Sequence, residues 1–249
     1  MSFEGVSKIV LFNTRYYFLS GLGLITLVVV LKFLVLPVWL KAALVCAAAL
    51  MILWTLTSLL VSWYVYDYAR VTQWDWLQAT LRAAPQRWVN IHAGLDESTA
   101  RLRHLMPGTQ GVVIDIYDPC STTEPSIARA RRMYPAAEPF HVGSAKSLPL
   151  PDRDRDAIFL LFAAHELRDS ERRTQLLREA GRVLRDDGRV VLVEHLRNLT
   201  NFVAFGPGAF HFHSRRSWLR NISEGGFHIQ QQRGVTPFVR CFILRKGEA

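Results

Sequence analysis

The chain has 249 residues, half of them hydrophobic and one-fifth charged, with a formal net charge of +9. That much bulky apolar material excludes a disordered chain. Cys46, Cys120 and Cys241 are odd in number and far apart, which excludes a disulfide scaffold, and no paired spacing marks a structural zinc site.

Charge divides the chain into two parts. Residues 1–69 carry only Glu4, Lys8, Arg15, Lys32, Lys41 and Asp67 as charged groups, so most of the basic surplus falls on residues 70–249. Within the head, residues 16–36 (YYFLSGLGLITLVVVLKFLVL) hold a single charge, Lys32, and residues 42–66 (AALVCAAALMILWTLTSLLVSWYVY) hold none. A helix crossing the hydrocarbon core of a bilayer needs about 20 apolar residues, and both segments meet that length. Pro37 and Lys41 place a turn between them, Lys32 can snorkel to the headgroups, and Trp63 and Tyr64 stand where an interfacial belt forms. A signal peptide has a shorter apolar core and lacks a second span. Lys8 and Arg15 before the hairpin, with Arg70, Arg82 and Arg87 after it, place both ends in the cytoplasm by the positive-inside rule; Lys32 and Lys41 in the turn count against this. Residues 1–69 are therefore expected to be a two-helix anchor in an inner (cytoplasmic) membrane, a multi-pass arrangement with the body, residues 70–249, in the cytoplasm.

After Asp67 the periodicity changes. Residues 73–84 read as an amphipathic helix ended by Pro85. Strands are expected at 88–92, 111–116, 140–142, 157–162 and 189–193, with helices at 97–105, 125–133 and 171–184 between them. A helix at 217–223 and strands at 227–232 and 238–244 follow, the last two as an antiparallel pair. This alternation predicts an α/β fold with a Rossmann-like, mostly parallel seven-stranded sheet and helices on both faces. Ligands of such sheets bind beyond the carboxyl ends of the strands. There the sequence places His92 to Glu97, Tyr117-Asp118, Gly143 to Ala145, His165-Glu166 and Glu194-His195.

From these residues the body resembles the class I S-adenosyl-L-methionine (SAM)-dependent methyltransferases over residues 85–245. The most specific stretch is GSAKSLPLPDRDRDAIFLLFAAHELRD followed by REAGRVLRDDGRVVLVEHL, within residues 143–196. Its style is closest to the ubiquinone/menaquinone C-methyltransferase-like, type 11, branch. The resemblance implies SAM as cofactor, with Gly94 and Asp96 at the methionine end, Asp118 holding the ribose, Asp115 as its alternative, and Ser144 and Ala145 beside the adenine. The loop after the first strand, VNIHAGLDE, departs from the family by having one glycine where a GxGxG run is usual. A glycine there allows close backbone approach, and a following helix N-terminus favours a carboxylate.

His165, Glu166, Glu194, His195, His211 and His213 are expected to face the methyl acceptor. Histidines at strand ends suit proton removal before methyl transfer. The same set also suits zinc, manganese or iron, although no metal is assigned, and a purely structural role for the cluster stays open. The segment 202–213 (FVAFGPGAFHFH) is apolar for a connection and either covers the site, dips into the bilayer interface or is buried. Arg82, Arg87, Arg101, Arg103, Arg129, Arg131 and Arg132 either face anionic headgroups or form a solvated surface. Nucleic acid is not an expected partner of a membrane-held domain. The function expected is methyl transfer from SAM to a lipophilic small molecule, a quinone precursor or other lipid, at the cytoplasmic face. A metal-assisted or non-methylating enzyme on the same scaffold, or a degenerate membrane-bound binding protein, are the other readings. Oligomeric state is not legible.

Overall fold

The computed structural model describes residues 3–81, 83–120, 125–136 and 139–247. Arg82 lies outside these residues.

The head begins with a helix that sequence periodicity did not suggest, α1 (Glu4–Phe12), followed by α2 (Thr14–Phe33) and α3 (Val38–Ser62). The hairpin turn falls at Pro37, whose missing N–H and fixed φ suit the start of α3. At 1.5 Å per residue, α2 is about 30 Å long, the thickness of a bilayer's hydrocarbon core. Both long helices are long and apolar enough to cross a membrane, and the apolar window of each is unburied by the rest of the chain.

α3 runs on into a π-helical turn, Trp63–Tyr68, and a 3-10 turn, Val71–Gln73. The helix expected at 73–84 is accordingly shorter, α4 (Trp76–Leu81). Arg70 and Trp74, at φ +50° and +60°, are both left-handed, and a helix cannot continue through either. Val65, Val71 and Trp74 are buried against one face of the sheet, so the head joins the body through packed contacts rather than a loose linker.

The body alternates as expected: β1 (Arg87–His92), α5 (Thr99–Leu105), β2 (Gln110–Asp115), α6 (Pro125–Met133), β3 (His141–Val142), β4 (Arg155–Leu161), α7 (Ser170–Val183), β5 (Leu184–His195). It ends with α8 (Leu199–Phe205), α9 (Arg215–Glu224), β6 (Phe227–Gly234) and β7 (Val239–Lys246). Among the described residues these strands form one seven-stranded sheet in the order β3-β2-β1-β4-β5-β7-β6. β1 to β5 are parallel, and β7 is antiparallel to both β5 and β6. β7 inserts between β5 and β6, so the final pair is antiparallel but the last strand in sequence is not at the edge.

The central strands are apolar on both faces because helices cover both. Ile158 and Leu160 of β4 face α7 and α9, where Leu176, Leu177, Ala180, Trp218 and Ile222 are buried. Ala157, Phe159 and Leu161 face the opposite side, with Leu77 and Leu81 of α4, Leu102 of α5 and the residues entering from α3. The layers leave the carboxyl ends of β1, β2, β4 and β5 as the place where polar groups gather. That edge lies against the N-terminal helices: the Tyr66 hydroxyl, one turn beyond α3, is 2.9 Å from Nε2 of His195 at the end of β5.

Candidate active site

Two groups of residues occupy the strand ends. The first surrounds β1 and β2. Register pairs His92, the last residue of β1, with Asp115, the last residue of β2. Asp118 therefore does not end the strand. It lies three residues beyond, partly exposed, where its carboxylate pairs with Arg172 at 3.2 Å and accepts the Cys120 N–H. Asp115 occupies the strand-end position expected of the ribose-binding acid. Its buried carboxylate accepts the Tyr117 N–H at 2.9 Å and pairs with Arg131, whose guanidinium stacks over the Tyr117 ring at 4.9 Å.

His92 is buried beside it. Its Nδ1 accepts the Gly94 N–H at 3.3 Å, so Nε2 carries the proton, and that buried Nε2 has no partner among the described residues. Burial holds its pKa below the ordinary imidazole value against the opposing pull of Asp115. Gly94 sits at φ +100°, and a Cβ there would lie 2.8 Å from the Tyr117 ring; this one glycine is required by its turn.

Asp96 also has a structural role. Its Oδ1 accepts the N–H groups of Ser98 and Thr99 at 3.1 and 2.9 Å, which caps the start of α5 and moves the helix two residues later than periodicity suggests. The helix end that would hold a carboxylate is thus occupied by the chain's own. Beside it is a polar cavity of about 200 Å³ lined by Lys8, Gln73, Asp96, Glu97 and Tyr134. α1 forms its outer wall. The Asp67 carboxylate accepts the N–H groups of Gly5 and Val6 at 2.8 and 2.9 Å, Lys8 reaches Glu97 at 3.6 Å, and Arg129 donates to the Phe12 carbonyl at 3.2 Å. Burial raises the Glu97 carboxyl above its ordinary range despite Lys8. Ser144 is exposed in a tight turn that its own Oγ holds through Ser147 N–H, and Ala145 is buried beneath it.

The second group surrounds β4 and β5. A 3-10 turn, Ala164–Glu166, follows β4. Glu194 of β5 is completely buried; its Oε1 accepts the Ala164 and His165 N–H groups, and its Oε2 lies 2.7 Å from His165 Nδ1. His165 Nε2 lies 3.2 Å from Glu166 Oε1, and His211 Nε2 lies 3.7 Å from the same oxygen. Burial is the largest single effect on His165 and pushes its pKa down, but Glu194 and Glu166 together outweigh it and raise it to about 10. In the metal-free chain His165 is thus a cation held between two carboxylates and cannot serve as a base near neutrality. Burial alone would raise Glu166, yet its bonds to His165 and His211 hold it well below the usual carboxylate range.

His195 and His213 do not join this arrangement as acceptor-facing groups. The His195 ring is stacked between Phe162 and Phe212, and its nitrogens are committed to Tyr66 and to the Phe238 carbonyl. Burial, with the charge of His165, lowers its pKa to about 3, so it is a neutral packing element. His213 Nε2 lies 3.2 Å from the His165 carbonyl and 3.1 Å from Arg173; burial and Arg173 lower its pKa to about 3. It positions the turn carrying His165.

The apolar segment forms an excursion. The chain leaves the sheet at Leu196 and returns at His213, and a bridge between those residues closes its base. Between them lie α8 and a 3-10 turn, Gly206–His211. Asn198 caps α8, and fully buried Asn201 donates to the carbonyls of Leu196 and Phe238. The excursion rests on α3: Thr57 Oγ1 donates to the Ala204 carbonyl at 3.0 Å, and Trp54 meets the Phe202 ring edge-on at 5.8 Å. Leu199, Val203 and Phe210 remain exposed.

Most arginines of the basic surplus have internal partners. Arg87 pairs with Asp154, Arg101 with Asp75, Arg103 lies over the Trp88 ring, Arg129 holds α1 and Arg131 holds Asp115. The residues that sequence reasoning missed are Tyr66, Arg168 and Arg173, each identified by its bonds rather than by a motif.

Comparison with known proteins agrees with this geometry. Residues 102–192 match the methyltransferase domain family. A 56-residue stretch is 45% identical to an uncharacterized methyltransferase, YcgJ, of Bacillus subtilis (strain 168), covering 22% of this chain and 21% of that protein. This curated relative is thus matched over about one-fifth of its length. A SAM dependent methyltransferase from Aquifex aeolicus superposes with a TM-score of 0.50 at 18% identity, over 72% of this chain and 93% of that one. Human N-acetylserotonin methyltransferase, in complex with SAM, superposes with a TM-score of 0.51 at 17% identity, over 81% of this chain and 56% of that one. Residues 102–192 thus match the methyltransferase domain family, within a chain that shares the fold of solved SAM-dependent methyltransferases.

Proposed function

We propose that this chain is a membrane-anchored methyltransferase that transfers a methyl group from SAM to a lipophilic small molecule, such as an isoprenoid quinone precursor or another membrane lipid, at the cytoplasmic face. The observation that carries the lipophilic reading is the excursion from Leu196 to His213. It contacts α3 at Trp54 and Thr57, and its far end presents His211 to Glu166. Trp54 lies eight residues before Ser62, so at 1.5 Å per residue this contact is about 12 Å along the helix from its body end. The exposed Leu199, Val203 and Phe210 then face lipid, and an apolar molecule reaches the strand ends without crossing water.

The residues around β1 and β2 fit the cofactor. Asp115 ends β2 with a carboxylate that can accept two ribose hydroxyls once Arg131 gives way, and the unpartnered Nε2–H of His92 is a buried donor beside it. The polar cavity by Asp96 and Glu97 suits the methionine end, with α1 closing it from outside. Bound there, SAM supplies an activated methyl group on a sulfonium, which an aligned acceptor displaces in line. The chain's contribution is alignment and exclusion of water. His165 and Glu194 fix the turn after β4, Glu166 holds His211, and His211, the less buried histidine, ties the excursion to that turn where it meets the acceptor.

The test is transfer itself. Full-length protein in vesicles made from total cell lipid is incubated with methyl-labelled SAM. Label is expected in the organic extract, falling at least about tenfold with His211→Ala, which frees the excursion that aligns the acceptor. Label confined to aqueous acceptors overturns the lipophilic reading.

A further inference from the structure

We propose that His165, Glu166 and His211 bind one divalent transition-metal ion of the zinc, iron or manganese type at the carboxyl end of β4. This goes beyond methyl transfer and does not depend on SAM binding.

Each residue supplies one donor atom, and the three atoms lie within 4.8 Å of one another. His165 Nε2 to Glu166 Oε1 is 3.2 Å, and His211 Nε2 to the same oxygen is 3.7 Å. Metal–nitrogen and metal–oxygen bonds of about 2.0–2.2 Å put adjacent donors roughly 3.0–3.5 Å apart, so two edges of the triangle already have or nearly have the spacing a metal needs. The third closes by a small turn of the His211 ring, which is partly exposed.

A second observation points to a missing ligand. Glu166 is only 8% exposed, and its other oxygen, Oε2, is buried with no hydrogen-bond partner among the described residues. A buried carboxylate oxygen left unpaired is costly. A cation between the two histidines that is bound by both carboxylate oxygens would satisfy it.

The surroundings are those of a metal ligand set rather than a chance meeting. Glu194 holds His165 Nδ1 at 2.7 Å and is itself fixed by two backbone N–H groups, which aims Nε2 at Glu166. A carboxylate behind a ligating histidine fixes its tautomer and raises its basicity. On His211, Arg168 donates to the backbone carbonyl and lies 3.2 Å from Nδ1. With a metal on Nε2, Nδ1 carries the proton and Arg168 keeps the carbonyl. Two imidazoles and one carboxylate suit zinc, iron or manganese; calcium and magnesium prefer oxygen alone. Because His211 comes from the excursion and the other two ligands from the turn after β4, the ion would also tie the apolar segment to the sheet.

The probe is Co²⁺ alone, added to metal-stripped full-length protein in detergent and followed by equilibrium dialysis and visible absorption. One equivalent is expected to bind with micromolar affinity. Glu166→Gln and His211→Gln are expected to weaken it at least about 100-fold, and Glu194→Gln about 10- to 100-fold, the usual effect of losing such a support. Thermal transitions identify any misfolded variant, and should Glu166→Gln misfold, His211→Gln at its more exposed position decides. Absence of stoichiometric binding, or binding of equal affinity in folded Glu166→Gln and His211→Gln, overturns the proposal.

Discussion

Asp115→Asn is expected to raise the KM for SAM about 100-fold, while Asp118→Ala changes it by less than about threefold. The two acids are three residues apart, and only one ends a strand. Asp115 is paired in register with His92 and is buried, so its carboxylate is fixed in direction before any ligand arrives. Asp118 is on the following loop and is turned toward Arg172. Two hydrogen bonds from ribose hydroxyls to a charged acceptor contribute about 1.5 kcal/mol each or more, and about 3 kcal/mol is the expected 100-fold. Asn keeps the volume and one acceptor but loses the charge and the second acceptor. Steady-state rates at varied SAM measure both variants. The reverse ranking would move the ribose contact to the loop and detach the cofactor from β2.

Glu194→Ala is expected to destabilise the body by about 3–5 kcal/mol, the cost of stripping one partner from a buried ion pair. Among the described residues no other charged side chain in the strand-end region combines zero exposure with three separate bonds: two backbone N–H groups and the His165 ring. Removing it leaves His165 as a buried cation beside Glu166 only, and leaves the Ala164 and His165 N–H groups without acceptors. At roughly 2–4 °C per kcal/mol for a domain of this size, the thermal transition of the full-length protein in detergent falls by about 10 °C. Glu194→Gln, which keeps the shape and one acceptor, loses less. Equal transitions for Glu194→Ala and wild type would mean that the pair is not formed.

The sheet was legible in the sequence because its strands are buried on both faces and read as short apolar runs bounded by Gly, Asp and Pro. GVVIDI and AIFLLF need no neighbour to be recognised. The end of β2 was harder. Two acids follow the apolar run, and the choice between Asp115 and Asp118 depends on pairing with β1, a contact that local spacing does not encode. α1 was hidden for a similar reason. Its N-terminus is capped by Asp67, 62 and 61 residues away from the groups it caps. Asp96 reads equally well as a ligand or as a helix cap, and only the positions of the Ser98 and Thr99 N–H groups decide for the cap. Among the histidines, His165 and His195 follow strands, while His211 and His213 come to the same region from the segment 202–213. Position did not predict commitment. His195 is taken up by Phe162, Phe212, Tyr66 and Phe238, which come from four different parts of the chain. The apolar segment 202–213 was legible as unusual, and its contact with α3 required the fold.

The most direct measurement of the account's central claim is a calorimetric titration of the purified full-length protein with S-adenosylhomocysteine, the demethylated form of the cofactor. A single site with a micromolar dissociation constant, about −8 kcal/mol, is predicted from the Asp115 and His92 pair and the adjoining polar cavity. No binding up to millimolar ligand would contradict it: Arg131 would then be a permanent occupant of the ribose position, and the domain would hold its fold without its cofactor.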